Sequence, residues 1–188
     1  MTPTRRALLL LAVGLAIAIL PAAGLRRAWP ATALFWAGAA LLLGADALRC
    51  PRRGDVTFSI DAPRALHAGG REPLGLRVSI ATPRPLPLEA AIGLSDDLAA
   101  QPALRGAAGR EPAALAWELV PSRRGLARLE TLWLRWESPL GFWTRRIVSP
   151  LDRELPVLPD LPRVRAAAIR FFADRDFRAG LRIERYRG

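Results

Sequence analysis

The chain has 188 residues, and its formal net charge of +11 is carried by arginine alone, with no lysine among the 28 basic residues. That charge does not mark a nucleic-acid binder. Residues 1–53 hold 7 arginines and 1 acid (net +6), residues 54–188 hold 21 and 16 (net +5), and no basic, aromatic RNA-binding motif accompanies them. One cysteine excludes an internal disulfide, and one histidine excludes a histidine-rich metal site.

Residues 7–25 run for 19 positions without a charge. That is close to the roughly 20 residues that cross a ~30 Å hydrocarbon core as a helix. A second apolar run fills residues 29–47 and meets its one acid, Asp46, near its end. With Arg26 and Arg27 as the turn, the two runs predict a transmembrane helical hairpin over residues 1–53. Trp29 suits headgroup depth and Pro30 a first helical turn. A cleaved signal peptide is the rival reading, since Arg5 and Arg6 give a basic start and Pro21 to Gly24 offers small residues. Against it, the first run outlasts a signal core of about 7 to 15 residues, and a second run follows at once. Arg5, Arg6, Arg49, Arg52 and Arg53 flank the hairpin against two arginines in the turn. This bias places both ends, and the following domain, in the cytoplasm; an inverted hairpin would export the domain. Cys50 beside the membrane reads as an inert thiol rather than a lipidation site.

From Gly54 the pattern becomes short alternating runs broken by proline and glycine, the texture of β structure. Strands are expected over residues 56–61, 74–80, 86–94, 114–120, 127–137, 142–148 and 155–159. Residues 96–112, poor in β-branched side chains, read as a long loop. In the strand over 127–137, Leu132, Leu134 and Trp136 share one face, and Trp133 and Arg135 share the other. About seven strands with regular turn signals predict a mainly β fold, an Ig-like β-sandwich over residues 54–160. Residues 161–188 predict a short linker helix over 163–177, then an extended piece.

No residue set announces a reaction. Ser95, Asp96 and Asp97 lack the order of a metal-ion-dependent adhesion site and read as a polar turn. His67 lies in a glycine-rich turn and reads as a surface residue. Asp174 and Asp176 are two positions apart on the expected helix and do not share a face. No catalytic, cofactor-binding or metal-ligating residue is assigned, and the chain is expected to be non-catalytic and to need no cofactor.

The hairpin, Pro121 to Gly125 as P-x-R-R-G, Ser138 to Phe142 as S-P-L-G-F, the L-P-V-L-P at residues 155–159 and the closing Arg185-Tyr186-Arg187-Gly188 occur in a definite order. In that order they resemble the N-terminal part of the bacterial family called domain of unknown function fifty-eight. Where that family commonly carries an acid before P-L-G, this chain has Ser138. The resemblance implies a bacterial inner-membrane protein working with a MoxR-type AAA+ ATPase in the assembly or maturation of other proteins. It also implies a von Willebrand factor A-like region after Gly188, so the chain is expected to be an anchor-and-sandwich fragment. The function expected is a membrane-anchored protein-interaction module whose partners are the bilayer and that ATPase. The alternative is an envelope-facing module that binds glycan or protein.

Overall fold

Thr4 decides where the first helix begins. In the computed structural model, which describes residues 1–22, 28–159 and 169, the Thr4 carbonyl accepts from Leu8 N–H at 3.1 Å. Its hydroxyl accepts from Ala7 N–H at 3.4 Å, a capping arrangement that brings Arg5 and Arg6 into the helix. The two-residue strand β1 (Thr2–Pro3) thus leads directly into α1 (Arg5–Ala22), and α2 (Trp29–Arg49) follows. Among the described residues, α2 is the one helix long and apolar enough to cross a membrane. Leu34 and Leu41 on α2 are each 76% exposed, and α1 likewise exposes Leu9 and Leu15. The helices meet at Gly14, where an added Cβ would lie 2.6 Å from Phe35 and 3.0 Å from Trp36. Glycine there lets two aromatic side chains of α2 lie against α1. The Arg26-Arg27 turn and, apart from the helical Ile169, the expected linker helix lie outside the described residues.

Alternating apolar and polar residues build two packed antiparallel sheets, with β3 as a parallel exception. The strands are β2 (Val56–Asp61), β3 (Leu66–His67), β4 (Glu72–Ile80), β5 (Leu86–Leu94), β6 (Leu98–Ala99), β7 (Leu104–Ala108), β8 (Ala113–Pro121), β9 (Gly125–Glu137) and β10 (Trp143–Leu158). One sheet has the order β1-β10-β9-β5-β7, with β3 added in parallel to the end of β10; the other has the order β2-β4-β8-β6. The inward residues of β4 (Leu74, Leu76, Val78, Ile80) and of β8 (Trp117, Leu119) share one core with Leu88, Ala90, Leu132, Leu134 and Trp136 from the facing sheet. The alternation expected in β9 is present: Leu132, Leu134 and Trp136 are buried, whereas Trp133 is 41% exposed.

Three local expectations change. Residues 96–112 are not one loop, because they contain β6 and β7. Strand β7 (LRGAA) has little β propensity of its own and is held by pairing with β5, Gly106 opposite Leu88. An added Cβ on Gly106 would lie 3.0 Å from Leu115 of β8, so glycine lets this edge close on the other sheet. The two strands expected over 142–148 and 155–159 form one strand, β10, continuous past a register shift at Pro150/Arg153 and ending at Leu158. Asp152 takes up the extra residues there with φ at 41°. His67 is not in a turn alone: it ends β3, paired with Leu158, and opens the glycine-containing turn by accepting from Gly70 N–H at 2.8 Å.

Strand direction sorts the connections into two ends. Residues 50–55, 81–85, 109–112 and 138–142 gather at the end that meets the helices, because Val56 pairs with Ile80, Leu86 with Ala108, and Glu137 with Thr144. Gly109 carbonyl accepts from Ile80 N–H at 2.8 Å and joins two of these connections.

Candidate functional site

Side-chain hydrogen bonds from both helices converge on the loop of residues 138–142, between β9 and β10. A buried carboxylate is costly unless hydrogen bonds replace its hydration. Asp46, in the last turns of α2, is 0% exposed. Its Oδ2 accepts from Ser138 Oγ at 2.5 Å and from Phe142 N–H at 3.1 Å, and its Oδ1 accepts from Leu140 N–H at 2.9 Å. Charge-assisted bonds of this kind are short and about twice as strong as neutral ones. They outweigh the unfavourable placing of an anion near a helix C-terminus, a cost of about 0.3–1 kcal/mol.

Ser138 extends the network, because its Oγ accepts from Trp143 N–H at 2.9 Å while donating to Asp46. A hydroxyl can do both; a carboxylate at this position would face Asp46 as a like charge. The loop itself is a turn closed by Gly141 N–H to Ser138 carbonyl at 2.9 Å, with Gly141 at φ 75°. Glycine is favoured there by that φ; an added Cβ would lie 2.8 Å from an Arg6 guanidinium nitrogen, the far end of a flexible side chain that can shift.

Helix α1 holds the same loop from its own N-terminus. Thr4 Oγ1 donates to Gly141 carbonyl at 2.6 Å, Thr4 N–H donates to Phe142 carbonyl at 2.9 Å, and β1 pairs with the start of β10. Two indoles grip the end of α2: Trp143 Nε1–H donates to Leu43 carbonyl at 2.9 Å, and Trp136 Nε1–H donates to Pro51 carbonyl at 3.2 Å. Cys50 follows the helix and is 2% exposed. Burial pushes its thiol above the ordinary thiol range, Arg145 opposes this, and Asp46 adds to it. A buried protonated thiol fits the inert reading.

The residues weighed for chemistry are scattered. His67 Nδ1 lies 3.0 Å from Glu72 Oε1 on the surface, at the end of the sandwich away from the helices. Asp97 pairs weakly with Arg123 at 4.0 Å, and its carbonyl accepts from Ser122, so residues 95–97 act as a turn. Asp174 and Asp176 lie outside the described residues. Among the described residues no group of three or more His, Cys, Asp or Glu converges as metal ligands would.

Asp46 is visible in the sequence as the one acid of the second apolar run, but no pattern there names its partners. The available signal was a single acid near the end of an otherwise uncharged span, a position where an ionisable group calls for a named partner.

No family model matches the sequence. Comparison with curated proteins finds no similar chain. Among solved structures, the chain is similar to a FixG-related protein from Vibrio parahaemolyticus, at 10% identity over 55% of this chain and 96% of that one, with a TM-score of 0.34. It is also similar to WR4, a C. elegans MSP family member, at 9% identity over 55% of this chain and 98% of that one, with a TM-score of 0.30. At these scores the likeness assigns no function. What stands is a mainly β domain of two packed sheets, preceded by a helical region with one helix able to span a membrane.

Proposed function

We propose that this chain is a membrane-anchored, non-catalytic interaction module in which α1 and α2 form a transmembrane hairpin and present the sandwich in one fixed orientation. The observation that supports this reading is the clamp on residues 138–142. A flexible tether would need no fully buried carboxylate with three donors. We read the order β2-β4-β8 facing β10-β9-β5-β7 as an Ig-like arrangement, whose loops and edge strands serve as recognition surfaces. The arginine bias around the hairpin favours a sandwich on the cytoplasmic side of a bacterial inner membrane. On that side, the resemblance implies a MoxR-type AAA+ ATPase as partner.

A reporter fused after Gly188 tests orientation. A green fluorescent protein fusion that fluoresces supports a cytoplasmic sandwich. Alkaline phosphatase activity at the same position overturns it in favour of the envelope-facing alternative. Co-purification of the chain with a MoxR-type ATPase from detergent-solubilised membranes tests the partner, and its absence under crosslinking removes that assignment.

A further inference from the structure

We propose that the cleft between the end of α2 and the base of the sandwich binds the headgroup of an anionic phospholipid. The cleft has a volume of about 720 Å³, and Leu48, Arg49 and Arg52 line it from the helix side, with Arg84, Leu86 and Pro139 from the sandwich. Arg49, Arg52 and Arg84 are all exposed, and none forms an ion pair among the described residues. The one carboxylate in the cleft, Asp55, is turned to structural use, since its Oδ2 accepts from Arg52 N–H at 2.7 Å. Three guanidinium groups against one carboxylate leave a net charge of +2.

The two sides of the cleft come from distant parts of the chain and are held together. Ala81 N–H donates to Asp55 carbonyl at 2.8 Å, and Thr82 Oγ1 donates to Arg84 carbonyl at 2.7 Å, which fixes the loop bearing Arg84. Guanidinium groups match phosphate oxygens in geometry as well as charge. Leu48 is 84% exposed directly beside these arginines. A ligand with a phosphate and an apolar tail meets both features, because the phosphate sits among the arginines while the first acyl carbons lie along Leu48. A free phosphate would use the arginines alone.

This inference rests on the membrane reading of α2, so the test separates the two. The full chain in nonionic detergent micelles is offered equal amounts of phosphatidylglycerol and phosphatidylcholine, and the retained lipid is measured by native mass spectrometry. Phosphatidylglycerol is expected to be retained preferentially. Arg84→Gln should weaken retention about 5-fold, and Arg49→Gln/Arg52→Gln/Arg84→Gln on the order of 100-fold, from the usual contribution of each basic residue at an anionic surface. Arg53→Gln, outside the cleft, should leave retention unchanged, and matched unfolding temperatures show that the variants fold. Equal retention of both lipids, or no loss in the triple variant, overturns the proposal. Complete displacement of the lipid by millimolar inorganic phosphate also overturns it, by making free phosphate the ligand. Alkaline carbonate extraction of cell membranes tests the underlying reading: release of the chain rejects the membrane anchor, while a retained chain without lipid preference rejects the cleft alone.

Discussion

Replacing Asp46 with alanine removes the acceptor of three donors at once: Ser138 Oγ–H, Leu140 N–H and Phe142 N–H. Each buried donor left without a partner costs about 1–3 kcal/mol. Relief of the unfavourable interaction with the C-terminal end of α2 returns about 0.3–1 kcal/mol. Water entering the vacated space recovers part of the remainder, so the net cost is about 3–5 kcal/mol, the range for breaking a buried charged network. The loss is local, because the sandwich core of Leu74, Leu76, Leu132 and Leu134 does not depend on Asp46. Amide hydrogen exchange of the full chain in micelles therefore reads it best. Leu140 and Phe142 should be protected in the wild type and should exchange at least about 100-fold faster in Asp46→Ala, a factor of ten for each ~1.4 kcal/mol. Asp46→Asn, similar in shape but uncharged and carrying two donors of its own, should fall between the two. Exchange at these amides unchanged in Asp46→Ala would show that the donors are satisfied without the carboxylate and that Asp46 does not hold the loop.

Three further outcomes are expected. Trp136→Ala should cost about 3–5 kcal/mol of sandwich stability in chemical denaturation, since the indole is 1% exposed and bonded to Pro51; a change below about 0.5 kcal/mol would contradict its place in the core. Gly141→Ala should cost more than about 1 kcal/mol by the same assay, because φ there is 75°, and a neutral result would contradict the turn. Cys50 should resist maleimide at neutral pH until the chain unfolds. Because the folded state holds the thiol proton more tightly than the unfolded chain, its contribution is constant below about pH 9 and is lost as pH rises from the ordinary thiol value of 9.0 toward the folded one. Stability that rises with pH in that window in the wild type, relative to Cys50→Ser, would contradict the burial.

The legible parts of this fold were those set by local pattern. Runs such as 56–61 and 74–80 alternate strictly and form β2 and β4, and the face shared by Leu132, Leu134 and Trp136 is the buried one. Strand β7 was not legible, because Leu104, Arg105, Gly106, Ala107 and Ala108 carry no strand signal of their own and extend only when β5 offers its edge. The junction was half legible. The S-P-L-G-F segment stood out as a turn, but its partner Asp46 lies 92 positions away from Ser138 in the chain, and no spacing rule connects residues so far apart. The cleft was hidden for the same reason, since Arg84 and Arg49 come together only when the sandwich docks on α2.

Hairpin and sandwich held as one rigid body would keep a fixed distance between them. Spin labels at Leu41 on α2 and Glu130 on β9, in the full chain with Cys50→Ser and reconstituted in lipid nanodiscs, test it by pulsed electron resonance. A single distance distribution as narrow as that between two labels within the sandwich is expected, and a broader one once Asp46→Ala is added. A wide or multimodal distribution in the chain with Asp46 intact would contradict it, and the sandwich would then be a domain on a loose tether.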